Sequence, residues 1–175
     1  MNSEGFGAAE KKAHPSPAPK PAAAPAAQRD ATINDTNVQA FYKSGEDLLK
    51  KGRPDEALRA FRTVYDYTRD TLTVMQVVKT GYEKLNSEAG ISQNQSEDLY
   101  LKLQRIATLT ARYTTIKGES AYNVGAILAK KGDADQARKY LIEACQILPP
   151  SMNPNSSWMK AKNTLLALLH LDGEF

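Results

Sequence analysis

The amino-acid sequence predicts an all-α fold built from stacked helix pairs. Three observations carry that prediction. From about Asn37 onward, apolar residues recur every three or four positions, which is the spacing of a helix face. No segment alternates apolar and polar residues as a half-buried strand would. Two segments 80 positions apart, 40–61 and 120–141, match without gaps, so one structural unit occurs twice.

Residues 1–30 differ from the rest. The run 13–27 carries Pro15, Pro17, Pro19, Pro21 and Pro25 among alanines. Proline removes amide donors and disfavours helix at the residue before it. Without large apolar side chains, such a run cannot offset its ordering entropy. It reads as a disordered, semi-extended tail or linker, with residues 31–175 as the helical domain.

The helices follow in order. Phe41, Gly45, Leu48 and Leu49 mark the face of the first, which breaks at Gly52-Arg53-Pro54. Pro54 suits the start of the second, where its missing amide is not needed. The second carries Ala57, Phe61, Val64 and Tyr65. A third is expected over about 71–87 from Leu72, Met75, Val78, Tyr82 and Leu85. A polar loop spans 87–95. Ser96 then caps a fourth helix, with Glu97 and Asp98 in its positive first turn. Leu99, Leu103, Ile106, Leu109 and Tyr113 form its stripe, and it fades at Lys117-Gly118.

A fifth helix holds Tyr122, Val124, Gly125 and Leu128 and ends at Lys131-Gly132. Asp133 with Gln136 gives a capping-box-like start to the sixth, which carries Ala137, Tyr140, Leu141, Ala144 and Leu148. Pro149-Pro150 stops it. After the turn Asn153-Pro154-Asn155, Ser156 or Ser157 caps a last helix over about 156–171, with Trp158, Leu165, Leu166, Leu168 and Leu169.

In the two matching segments Tyr42 aligns with Tyr122, Gly45 with Gly125 and Leu48 with Leu128. Lys50-Lys51-Gly52 aligns with Lys130-Lys131-Gly132, and Ala57 with Ala137. This pattern resembles the tetratricopeptide repeat (TPR), a helix–turn–helix unit of about 34 residues. The resemblance covers about 31–171. It implies that Gly45 with Ala57, and Gly125 with Ala137, are the small residues where paired helices cross. It also implies that Phe61 and Leu141 fill the large apolar position of the second helix. Phe41 and Ala121 stand where the family places tryptophan. Two family repeats would separate Ala57 from Ala137 by about 68 positions rather than 80, so a divergent middle unit with a long turn is expected, with Gly81 as its crossing residue. The implied architecture is an antiparallel helix-pair solenoid of about three pairs, at roughly 37–69, 70–117 and 118–150, closed by a C-terminal capping helix.

The resemblance also implies a function. The first helix of each pair lines a concave groove that receives an extended peptide or a partner helix. Carried over position by position, the groove takes Tyr42, Lys43, Glu46 and Leu49 from the first unit and Val78, Lys79 and Tyr82 from the middle one. The third unit supplies Tyr122, Asn123, Ala126 and Lys130. Tyrosines there offer rigid apolar area with a polar tip. Asn123 matches an asparagine with which some members clamp a peptide carboxylate, although Tyr42 stands where a clamp lysine is expected. The expected role is a non-catalytic protein–protein interaction module. The alternative is a structural subunit of a larger secretion, pilus or envelope assembly, using the convex face, the ends and the N-terminal arm.

The bulk numbers narrow the remaining classes. The 175 residues are 41% hydrophobic and 25% charged, with net charge +3, which supplies no basic stripe for nucleic acid. Cys145, the single cysteine, and two distant histidines build neither a disulfide, a metal site nor a nucleophilic triad. Cys145 lies in an apolar helical run and is expected as a buried structural thiol. With no phosphate-cradling glycine loop, no catalytic residue, metal or cofactor is expected. No stretch reaches the ~20 apolar residues of a membrane helix, and no secretory signal is readable. The expected compartment is cytoplasmic, or periplasmic or envelope-tethered if a native leader precedes the chain. The partner's identity and the oligomeric state are left open.

Overall fold

The computed structural model describes residues 32–87 and 92–173; the expected tail over 1–30 and the middle of the 87–95 loop lie outside them. Five α-helices form in the described residues, with no strand: α1 (Val38–Lys50), α2 (Pro54–Ser87), α3 (Gln93–Lys130), α4 (Ala134–Ile147) and α5 (Ser157–Leu168). The all-α class is as the sequence predicts. Each helix packs on the next, most extensively α2 on α3, which run antiparallel as a hairpin, and α5 rests on both α3 and α4.

The helix count differs from the expectation. No break occurs near residue 70, so the expected second and third helices are one of 34 residues. No break occurs at Lys117-Gly118 either, so the fourth and fifth are one of 38 residues. Residues 66–73 contain neither glycine nor proline, and nothing there stops a helix. Arg69 reinforces the run by bridging Asp66 and Asp70, each at 2.9 Å. Gly118 is a packing residue rather than a terminator, because a Cβ there would stand 2.9 Å from the Leu148 side chain. Helix α3 also starts earlier than expected. Ser92, not Ser96, caps it in a reciprocal box with Gln95, while Ser96 reaches across to Asn86 at 3.2 Å.

Two helix pairs share one local geometry. In the pair α1–α2, Gly45 lies against the Phe61 ring, 2.8 Å from where a Cβ would be; in α3–α4, Gly125 lies 2.7 Å from Leu141 by the same measure. Ala57 and Ala137 are fully buried. The connecting turns also match. Gly52 and Gly132 take left-handed φ values of 68° and 82°, which glycine adopts without Cβ strain. Arg53 N–H donates to Leu48 at 2.9 Å and Asp133 N–H donates to Leu128 at 3.0 Å, closing the same helix-ending motif. Lys131 of the second turn pairs with Asp55 beside the first. One equivalent position shows a size exchange. Val38 on α1 and Thr68 on α2 are fully buried, and 80 positions on stand Gly118 and Leu148. In the second pair Gly118 leaves room for the Leu148 side chain.

The helical unit, Ile33–Phe175, therefore has a packed body and a projecting arm. Fully buried Phe61, Val64, Tyr113, Val124 and Leu141 lie in the body. Between Arg69 and Arg112, Leu99 is the one buried residue among those described. That stretch of α2 and α3 is a two-helix arm extending roughly 30 Å at 1.5 Å per residue. Ser156 caps α5 through Met159 N–H at 3.1 Å, and Trp158 Nε1 donates to the Cys145 carbonyl at 3.1 Å, fixing α5 to the end of α4. Burial pushes the half-buried Cys145 thiol's pKa up. No described helix is long and apolar enough to cross a membrane.

Candidate functional site

The C-terminal part of α3 lies beside α1 because both pack on the first half of α2. The link between them is a small polar group. Tyr42, buried on α1, packs edge-on against Phe61 with centroids 5.4 Å apart. Its hydroxyl accepts from Asn123 Nδ2 of α3 at 3.1 Å and donates to Glu119, one turn earlier on α3. Burial pushes the tyrosine pKa well above its usual range, and the charges of Glu119 and Glu46 add to the shift. Burial also pushes the Glu119 carboxyl up; the Glu46 charge adds to this and the Tyr42 hydrogen bond opposes it. Neither glutamate forms an ion pair with a described residue.

Eight of the eleven sequence-predicted residues lie on these two helices. Lys43 and Leu49 are exposed on α1, with Glu46 half-buried beside Tyr42. On α3, Tyr122, Asn123 and Ala126 are half-buried and Lys130 is exposed. The structure thus joins Tyr42 to Asn123 directly and brings Glu46 within electrostatic reach of Tyr42 and Glu119. Val78, Lys79 and Tyr82 are elsewhere, on the arm. Lys79 pairs with Glu83 at 3.6 Å, and Lys102 of α3 sits over the Tyr82 ring at 5.8 Å. Gly81, expected at a helix crossing, lies at none: a Cβ there would meet no atom of the described residues within 4 Å. The reason is the unbroken α2, which carries these residues out of the body instead of turning back to start a new pair.

Sequence reasoning missed Glu119. Its position four before Asn123 puts both on one face, but reading Lys117-Gly118 as a helix end hid that relation. A second polar group on the α4 side was also missed. Tyr65 donates to Glu143 at 2.5 Å, Glu143 pairs with Lys117 at 2.7 Å, and Lys117 lies 5.7 Å from the Tyr65 ring centroid. Here charge meets countercharge, so the group holds α2, α3 and α4 together. A third group fastens the segment before α1: Tyr113, buried on α3, donates to Asp35 at 2.5 Å, and Arg112 pairs with Asp35 at 3.2 Å. A recess at the arm tip is lined by Asn86, Ser96, Glu97, Tyr100, Leu101 and Leu103. It is remote from α1, and Asn86 and Ser96 already bond each other. Among the described residues, no group of three or more His, Cys, Asp or Glu side chains is placed to hold a metal ion.

Comparison with family models, curated proteins and solved structures finds no significant match.

Proposed function

We propose that this chain is a non-catalytic, TPR-like interaction module that holds a peptide or partner helix on the face shared by α1 and the end of α3. The observation that supports this most is the Tyr42–Asn123 bond. It ties together the first helices of two equivalent pairs, the helices that line the binding surface in the family. In this reading the pairs α1–α2 and α3–α4 are two repeat units, α5 is the first helix of a third, and the expected middle unit is the arm. Tyr122 and Lys43 flank the bond and offer aromatic and cationic contacts at the rim. Glu46 and Glu119 make the floor negative, so an occupant with a basic side chain is favoured over an acidic one.

The test is affinity capture from the native host with quantitative mass spectrometry. Tyr122→Ala and Lys43→Glu should each lose the partners that the full chain retains. Retention of every partner by both variants, with loss on deleting residues 1–30 or 88–95, refutes this face as the binding site. A second reading, a fixed subunit of a larger assembly, is favoured by the arm, whose length and exposed apolar residues the interaction reading leaves unused.

A further inference from the structure

The arm carries a face that no other described part of the chain covers. Spacings of three and four place Val74, Val77, Val78, Gly81 and Leu85 on one side of α2. Val74 is 61% exposed and Val77 69%, and Val78 and Leu85 are exposed as well. The inner seam of the arm is made by other residues, among them Leu72, Met75, Leu99 and Leu109. β-branched residues lower helix propensity, so Val74 and Val77, both largely exposed, oppose local structure and gain little burial. At the centre of the stripe Gly81 leaves an open notch.

The stripe is complementary to itself. When two copies of α2 lie antiparallel about a two-fold axis between Val77 and Val78, Val74 of each copy falls on the Gly81 notch of the other. Val77 then falls on Val78. Such an axis sets the same flank of each helix against its own counterpart. Asp70 and Lys84 lie on one flank, and each comes within one position of the other's copy, twice over. Lys84 has no acidic partner among the described residues, and Asp70 is held only by its exposed neighbour Arg69.

From this we infer that the Val74–Val77–Val78–Leu85 face of the arm docks a second copy of the chain, arms antiparallel, in a four-helix contact. The patch spans about 17 Å by about 10 Å, short of the ~800 Å² per partner of a standard interface. The dimer is accordingly weak and forms in the micromolar range. The inference does not depend on the α1–α3 face.

Sedimentation velocity of the full chain from roughly 5 to 500 µM tests it. A concentration-dependent shift to dimer is expected. Val77→Asp should hold the chain monomeric throughout, and Leu101→Asp, on an exposed leucine of α3, should dimerise like the parent. Asp70→Lys should weaken the dimer about tenfold, and adding Lys84→Asp should restore it to within about threefold. If Val77→Asp loses helicity, Gly81→Leu, which fills the notch without adding charge, takes its place. A parent chain monomeric at 500 µM overturns the proposal. So does a Val77→Asp or Gly81→Leu dimer of parental strength, or a charge swap that fails to restore association.

Discussion

Helices α2 and α3 pass through two environments, and the contrast separates what makes a helix from what makes a core. In the body they are enclosed by α1, α4 and α5, and Phe61, Val64, Tyr113 and Val124 are fully buried. In the arm, among the described residues, the same two helices pack only on each other. Their backbone is equally helical in both regions, so local propensity does not distinguish them. Packing does, and glycine reports it directly: Gly125 lies in tight contact and Gly81 in open space.

The largest expected difference follows from those two glycines. Gly125→Val should cost about 3 kcal/mol or more, since the new side chain has to displace Leu141 and the Ala137 carbonyl. In dilute solution Gly81→Ala should instead stabilise by about 0.5–1 kcal/mol, the usual gain in an exposed helix interior. Urea unfolding of both variants checks the pair, and equal costs would erase the distinction between body and arm.

The tyrosines give the next effect. Burial raises Tyr65 and Tyr113 above their usual range. A group whose folded pKa is raised contributes stability that is complete below its unfolded value, about 10 for tyrosine, and that is lost as pH rises above it. The body should therefore unfold in alkali. Tyr113→Phe removes the hydrogen bond to Asp35 and should cost about 1 kcal/mol at pH 7. It should also move the alkaline midpoint upward, which urea midpoints between pH 7 and pH 11 read out.

The smallest effect is at Glu119. Its raised carboxyl contributes stability only below the unfolded value, about 4.3, and lowers stability at neutral pH. Glu119→Gln keeps an acceptor for Tyr42 and should gain under about 1 kcal/mol at pH 7, with no gain at pH 3. A loss of stability at pH 7 would mean that the charge is compensated in the folded chain.

The sequence made much of this molecule legible. The family resemblance put Gly45 with Ala57 and Gly125 with Ala137 at the helix crossings, and in the structure the two glycines lie against Phe61 and Leu141. The turns at Gly52 and Gly132 were readable because left-handed backbone selects glycine. The cap at Asp133 followed from a side chain that bonds the next turn, and of the two serines expected for the last helix the structure uses Ser156. The middle of the chain was misread because a helix stripe looks the same whether the helix continues or restarts. Neither Thr68–Thr73 nor Lys117–Glu119 holds a residue that forces a break. Glycine alone was an ambiguous mark, serving as terminator at Gly132, packing contact at Gly118 and open notch at Gly81. Within the candidate site, Tyr42 and Asn123 were found by alignment. Glu119 was not, because the expected helix boundary cut it from its face.

The unbroken passage of α2 and α3 from body to arm has a further consequence. Deleting seven residues from α2 beyond Thr71, with seven facing residues from α3, removes two turns from each strand and returns every later side chain close to its original bearing. The arm would shorten by about 10 Å while the α1–α3 face kept its geometry. The hairpin is a ruler whose length can change without altering the geometry of the body.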